Sequence, residues 1–302
     1  MSQTCVVTGA TGYIGSHLVA HLVEYGWTVH VIVRPESSRQ LLETVADKIH
    51  CFIYDGNDVE GLAKYFAEIQ PHVVFHVAAA VITKVNPNQV SSLIRANVEF
   101  GTQLLETMRL SGVSLIVSTG TYWQNYDSID YRAVDLYAAT KEAYEKILGY
   151  YTDAFSIRAI TLRLFDVYGE DDKRPKLLNL LRNIAGTDQS IDVSPGGQLL
   201  DMVYISDVCR AYLAAYDLLR NNTTVKNEIY GVQTLHRTSL RDMVALFEDI
   251  LGKSINVNWG ARSYKEREIM RPMELYPSLP NWKAEVTLEE GLKRFHPLFL
   301  GG

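Results

Sequence analysis

Cys5-Val6-Val7-Thr8-Gly9-Ala10-Thr11-Gly12-Tyr13-Ile14-Gly15 decides the fold of this chain. A short apolar run enters a glycine turn, and an amphipathic stretch from Tyr13 to Glu24 leaves it. A strand, a tight turn and a helix start, in that order, make a site for a dinucleotide pyrophosphate. The helix start presents free N–H groups, and glycines let the backbone approach the anion. Gly9, Gly12 and Gly15 follow a GxxGxxG spacing. On this reading Gly9, Thr11, Gly12, Tyr13, Ile14 and Gly15 line the cofactor.

Working outward, apolar runs alternate with helix-like stretches through the first half. Strands are expected at Cys5–Thr8, Val29–Val33, Cys51–Tyr54, Val73–His76, Leu115–Ser118 and Ile160–Leu164, with helices around 13–25, 38–46, 58–69, 89–111 and 137–155. Strands apolar throughout imply a parallel sheet covered on both faces. The expected fold is α/β: a Rossmann-like doubly wound parallel sheet with a smaller C-terminal substrate domain. The rhythm changes near Tyr168-Gly169, so the cofactor domain is placed at 1–169 and the second domain at 170–302. Residues 200–220 are expected to return to the first.

The chain has 302 residues, 47% hydrophobic, with a formal net charge of -6 and no long basic run. That balance argues against nucleic acid or an anionic membrane as partner. No apolar run approaches the ~18–20 residues of a membrane span. The N-terminus enters a strand almost at once, which leaves no room for a signal peptide. Cys5, Cys51 and Cys209 lack metal-site spacing and are expected to be reduced, mostly buried thiols of a cytoplasmic protein. No metal site is expected.

A second signal is Tyr137-Ala138-Ala139-Thr140-Lys141. Residues four apart share a helix face, so the phenol and the ammonium can address one spot. Tyrosine titrates near ~10 and needs a nearby charge to exchange protons at neutral pH.

With both motifs in this order, the chain resembles the short-chain dehydrogenase/reductase superfamily, in its extended, sugar-nucleotide branch. The resemblance covers nearly the whole chain. It implies that Tyr137 is the acid/base, that Lys141 supports the tyrosine and the nicotinamide ribose, and that a hydroxyl past the Leu115–Ser118 strand orients the substrate. The register gives Thr119 that role, with Ser118 as the alternative. Asn97 matches the asparagine that props the lysine through water. Asp55 and Gly56 match the adenine contact, and Ala78 and Ala79 the small-residue turn under the cofactor. His76 is read as a packed strand-end histidine.

The second strand ends in Arg34, with Ser38 and Arg39 close behind. NAD sites place an acid there for the ribose hydroxyl. Guanidinium and hydroxyl groups suit a 2′-phosphate instead, so NADP(H) is preferred, with NAD(H) possible through Glu36. Related 4,6-dehydratases carry an Asp-Glu pair after the threonine; here the pair is Gly120-Thr121. Without those carboxyls, dehydration loses its acid and base.

In the second half, Leu164–Gly169, Pro175–Leu178 and Asp201–Val208 match segments that line a nucleotide sugar. Asp166 replaces the usual asparagine, and Leu200 stands where many relatives carry arginine. The resemblance places Thr121, Trp123, Gln124, Asp166, Arg174, Lys176, Leu177, Tyr204 and Arg271 around the substrate, with Arg267 a further cation. The stretches at 119–126 and 135–141 are most like the reductases that finish 3,6-dideoxyhexoses. The implied activity is an NADPH-dependent 4-ketoreductase of a nucleotide-diphosphate sugar, for O-antigen or similar deoxysugar synthesis. A nucleotide-sugar epimerase, a reductase of some other ketone and an NADP-binding regulator without turnover are the alternatives. Helices like 89–111 and 137–155 form four-helix dimer interfaces in relatives, so a homodimer is expected.

Overall fold

The computed structural model describes residues 2–295; Met1 and residues 296–302, the tail of the expected second domain, lie outside it. Numbered in chain order, the elements are β1 (Thr4–Thr8), α1 (Tyr13–Glu24), β2 (Thr28–Val33), β3 (Ile49–Ile53), α2 (Val59–Ile69), β4 (Val73–His76), α3 (Val90–Ile94), α4 (Phe100–Ser111), β5 (Leu115–Thr121), α5 (Leu136–Ala154), β6 (Arg158–Leu164) and β7 (Asp166–Tyr168). There follow α6 (Leu177–Ile184), β8 (Ser190–Val193), β9 (Leu199–Leu200), β10 (Met202–Tyr204), α7 (Ile205–Asn221), β11 (Asn227–Val232), β12 (Thr238–Ser239), α8 (Leu240–Leu251), β13 (Asn256–Trp259) and α9 (Leu288–Phe295).

The central sheet has seven parallel strands in the order β11-β6-β5-β4-β1-β2-β3. All six strands expected from sequence are in it, because a parallel strand buried on both faces reads as a continuous apolar run. Val6, Val7, Val29, Val31, Val73, Val74, Ile116 and Val117 are all completely buried. One core, containing Leu18, Leu22, Tyr212 and Tyr216, joins α1 and α7 to one face. A second, with Leu62, Phe66, Leu104, Met108 and Leu148, joins α2, α4 and α5 to the other.

Some details differ from the sequence reading, among them the helix expected over 89–111, which is split into α3, a π-helical turn at Arg95–Glu99 and α4. The third strand begins two residues earlier, at Ile49, and Cys51 on this edge strand is exposed, while Cys5 and Cys209 are buried. The stretch after β2 forms a 3-10 helix at Gln40–Lys48 rather than an α-helix. Asn227–Val232 forms the far edge of the main sheet, pairing with β6. The small sheets β10-β7, β12-β9 and β13-β8 belong to the later part of the chain. Helix α7 packs on β5, β6 and α1.

Strand order reverses at β1, whose neighbours are β2 and β4. The crevice beyond the carboxyl ends of β1 and β4 is therefore where an open sheet of this kind takes a ligand.

Candidate functional site

The glycine turn sits at that crevice. Gly9 holds φ +72°, and a Cβ there would lie 2.5 Å from the Ala78 nitrogen. The turn of Ala78 and Ala79 is thus pressed directly against the Gly9 backbone. Gly12 caps α1 without a side-chain hydrogen bond, and no acid stands in the first turn. The N–H groups at Tyr13, Ile14 and Gly15 therefore face the crevice with their positive dipole end uncompensated. Thr8 Oγ1 accepts from the Ala78 N–H at 3.4 Å and pairs with His76 Nδ1 at 2.8 Å.

Tyr137 and Lys141 lie in the first turns of α5. Asp135 caps this helix, its carboxylate accepting from the Ala138 N–H at 2.9 Å. An aspartate just before an apolar helical stretch is a start signal, so this orienting contact was available in the sequence. Tyr137 is 9% exposed and Lys141 1%. The Tyr137 hydroxyl makes no hydrogen bond among the described residues, and Lys141 Nζ is buried over the Tyr144 ring at 5.9 Å without a hydrogen-bond partner. Burial pushes the Tyr137 phenol up, with the Asp135 charge adding to it. Burial pulls Lys141 down to about 8; Arg163 adds to this and Glu145 opposes it. His76 is fully buried and pulled down to about 3 by burial and then by Lys141, so it is a neutral ring.

Asn97 lies in a single π-helical turn, Arg95–Glu99, between α3 and α4. Its amide clasps the Ala80 backbone on both sides (2.7 and 3.0 Å) and donates to Thr140 Oγ1 at 2.9 Å. The side chain thus ties the turn after β4 to the helix that carries Tyr137 and Lys141, and has no bond to the lysine itself.

Thr119 Oγ1 donates to the His76 carbonyl at 2.8 Å and pairs with Tyr212 on α7. Its hydroxyl is turned toward α7 and makes no bond with Tyr137. Ser118 Oγ, on the opposite side of β5, is buried without a bond partner.

Several expected substrate residues are engaged elsewhere. Gln124 is completely buried: its carbonyl accepts from the Thr121 N–H, and its amide nitrogen donates to Glu142 and Glu145 at 2.7 and 3.0 Å. It is not beside a sugar but inside a charge network. Arg163 completes the network, donating to Glu145 at 2.6 Å, Glu142 at 3.2 Å and the Thr121 carbonyl at 3.3 Å. A Cβ on Gly120 would lie 2.8 Å from Glu145 Oε1 and 2.9 Å from Arg163 Cδ. Arg174 is held by both Asp172 oxygens and stacks over the Tyr13 ring at 4.2 Å, so its charge is already matched. Tyr204 is buried and donates to Glu170. Leu177 packs against the core at the start of α6.

The other expected substrate residues have these contacts. Thr121 caps the short turn Tyr122–Gln124, and Trp123 lies under Lys265 Nζ at 5.2 Å. Asp166 accepts from the Tyr122 hydroxyl at 3.0 Å, and burial raises its carboxyl. Lys176 Nζ reaches the Val167 carbonyl at 3.4 Å. Arg267 donates to the Ala133 carbonyl at 2.6 Å, whereas Arg271 has no bonded partner among the described residues.

At the end of β2, Arg34 Nε lies 3.3 Å from Glu36, both side chains about two-thirds exposed or more. Ser38 and Arg39 border an open cleft of about 460 Å³ with Gln40, Glu43 and Cys51. Asp55 accepts from the Asn57 N–H at 2.9 Å, and Gly56, at φ +93°, passes its carbonyl to Gln103.

Residues 5–232 match the NAD dependent epimerase/dehydratase family. The chain belongs to that family. As a member it is an enzyme of the extended short-chain dehydrogenase/reductase type. CDP-abequose synthase of Salmonella muenchen is 25% identical over 297 residues, covering 97% of each chain. A putative UDP-glucose 4-epimerase of Methanocaldococcus jannaschii is 28% identical over 312 residues, covering 96% of each. Among solved structures, UDP-glucose 4-epimerase from Brucella ovis in complex with NAD superposes with a TM-score of 0.84 at 19% identity, over 98% of both chains. That likeness shows a shared fold. Among the described residues no helix is long and apolar enough to cross a membrane.

Proposed function

We propose that this family member is an NADPH-dependent 4-ketoreductase of a nucleotide-linked deoxyhexose, with CDP-4-keto-3,6-dideoxyglucose the first substrate to try. The observation that carries the reading is the Tyr137–Lys141 pair, one helical turn apart on α5: the Lys141 ammonium is buried without a hydrogen-bond acceptor, and the Tyr137 hydroxyl bonds to no protein group among the described residues. A buried ammonium left without an acceptor is costly unless a ligand satisfies it. A cofactor ribose and a substrate oxygen are what this arrangement fits. Gly120-Thr121 leaves no carboxylate for dehydration, and the resemblance to CDP-abequose synthase extends over 97% of the chain.

When bound, the nicotinamide dinucleotide supplies the reducing equivalent for the keto carbon. Tyr137 gives its proton to the oxygen as that carbon is reduced. Lys141, charged beside it, favours the phenolate that remains and holds the ribose. Thr119, tied to the His76 carbonyl and to Tyr212, fixes the end of β5 against α7 rather than holding the substrate oxygen itself. Asn97 holds the Ala80 turn against α5, so that cofactor and tyrosine meet in fixed geometry. The acting form is a homodimer in the cytoplasm; Val90, Ile94 and Tyr150, all exposed on the helices expected at its interface, are consistent with this.

The assay is nicotinamide absorbance with NADPH or NADH and the CDP-ketosugar. Tyr137→Phe is expected to lower turnover by roughly 10²–10⁴-fold, the usual worth of a positioned proton donor, while cofactor affinity is kept. Full activity in Y137F would remove the tyrosine from the mechanism. Arg39→Ala is expected to weaken NADPH several-fold and leave NADH unchanged; equal effects on both would take the 2′-phosphate from this cleft.

The pairing of Arg34 with Glu36 favours a second reading. A guanidinium already matched by a carboxylate is a poorer phosphate anchor, and Glu36 suits a ribose hydroxyl. That would make the chain an NAD-retaining epimerase. No NADPH oxidation, together with NAD released on denaturation, would put it first.

A further inference from the structure

The nucleotide-sugar reading requires positive charge for a diphosphate, and the residue before Asp201, which is an arginine in many relatives, is Leu200. Arg174 is neutralised by Asp172, and Arg267 is committed to a backbone carbonyl. Arg237, which the sequence reading passed over, is different. Its side chain is only 10% exposed, yet Nε and Nη2 are buried with no hydrogen-bond partner. One nitrogen, Nη1, meets Glu274 at 3.1 Å, and that carboxylate is 57% exposed. The neighbouring buried Asp201 spends its oxygens on the Thr234 hydroxyl and the Thr234 and Leu235 N–H groups. Each buried donor left unmatched is costly. A guanidinium with two such donors is therefore short of an acceptor.

Its position supplies the acceptor's identity. Thr238, next in the chain, lies opposite Leu200 in the β12-β9 pair. The Leu199 N–H donates to the Met270 carbonyl at 2.9 Å, which runs residues 270–274 past the same strand. Arg237, Leu200, Arg271 and Glu274 thus occupy one neighbourhood, built from three separate segments.

We propose that Arg237 replaces the arginine absent at position 200 and, with Arg271, binds the diphosphate of the nucleotide sugar. The planar fork takes two phosphate oxygens through its unmatched nitrogens, while Glu274 holds the third nitrogen in place. This inference rests on the nucleotide-sugar reading given above.

The test is calorimetric binding of CDP and of UDP to the whole protein and to Arg237→Met, with NADPH affinity as the control for folding. Wild type is expected to bind one of the diphosphates, and R237M to bind it about tenfold or more weaker, the worth of a charge-assisted hydrogen bond. NADPH affinity stays the same. Equal diphosphate affinity in R237M would overturn the assignment of Arg237 and leave the nucleotide-sugar reading standing. Failure of wild type to bind either diphosphate would overturn the reading and the inference together. Should R237M lose NADPH as well, Arg237→Gln, which keeps an amide donor and much of the bulk, decides by the same criterion.

Discussion

Replacing Lys141 by methionine is expected to abolish turnover and at the same time to stabilise the cofactor-free protein at neutral pH. The side chain is 1% exposed and its Nζ has no hydrogen-bond partner. Burial pulls its pKa down to about 8 from the ordinary lysine value of 10.5, with Arg163 adding to the effect and Glu145 opposing it. A lysine whose folded pKa lies below its unfolded one costs stability while it is charged. That cost is fully present below pH about 8 and fades as pH rises toward the unfolded value. It is on the order of 3 kcal/mol. Methionine fills similar space without the charge, so K141M should melt higher than wild type at pH 7. The gap should narrow steadily between pH about 8 and 10.5. Turnover should fall at least ~10³-fold, since the tyrosine loses its neighbouring charge. Melting curves of both proteins across this range are the check. A gap that does not change with pH across this range would mean that burial does not lower the Lys141 pKa at all.

The second large effect is expected at Gly15. A Cβ there would lie 2.1 Å from the Gly9 oxygen, 2.6 Å from the Gly9 carbonyl carbon and 2.9 Å from Ala10 Cα. All three are backbone atoms of the turn, so no side chain can swing away to make room. Overpacking in a closed site costs ~1–3 kcal/mol, and here the upper end or more applies. For a chain of this size each kcal/mol lowers Tm by ~2–4 °C, so Gly15→Ala should melt roughly 6–10 °C lower. Because the strain lies in the turn that approaches the pyrophosphate, cofactor affinity should drop by ~100-fold, far beyond what the stability loss explains. Thermal melts and cofactor titration measure the two effects separately. A G15A protein that binds NADPH normally would show that the turn can open without loss.

The sheet was legible where burial is two-sided. β1, β2, β4, β5 and β6 each carry an apolar run, because both faces meet helices. β11 was not: Asn227-Glu228 opens it, its outer edge pairs with no strand among the described residues, and it follows the change of rhythm at Gly169. An edge strand pairs on one side and tolerates polar residues. At the site, the shared face of Tyr137 and Lys141 followed from helical spacing alone. Gln124 did not follow, because what holds it lies on α5, at Glu142 and Glu145, and sequence distance carries no trace of that contact. The turn of the Thr119 hydroxyl toward Tyr212 was equally invisible, since α7 arrives from nearly a hundred residues later. Arg163 was the one clue, a charged residue inside an apolar strand. A buried cation must have a partner, though only the fold shows which one.

The crowding around Gly120 bears on how readily this scaffold could change its chemistry. Neighbouring activities in such families are often pictured as one or two substitutions apart. Here the position that would have to gain an aspartate for water elimination is already filled from behind by Glu145 and Arg163. An added carboxylate would meet a buried anion and displace the guanidinium that pins the Thr121 carbonyl. Gain of dehydration would first require dismantling the support that holds β5 to the helix of Tyr137 and Lys141. An acidic side chain at 120 is therefore expected to destabilise the fold before it could supply any new chemistry.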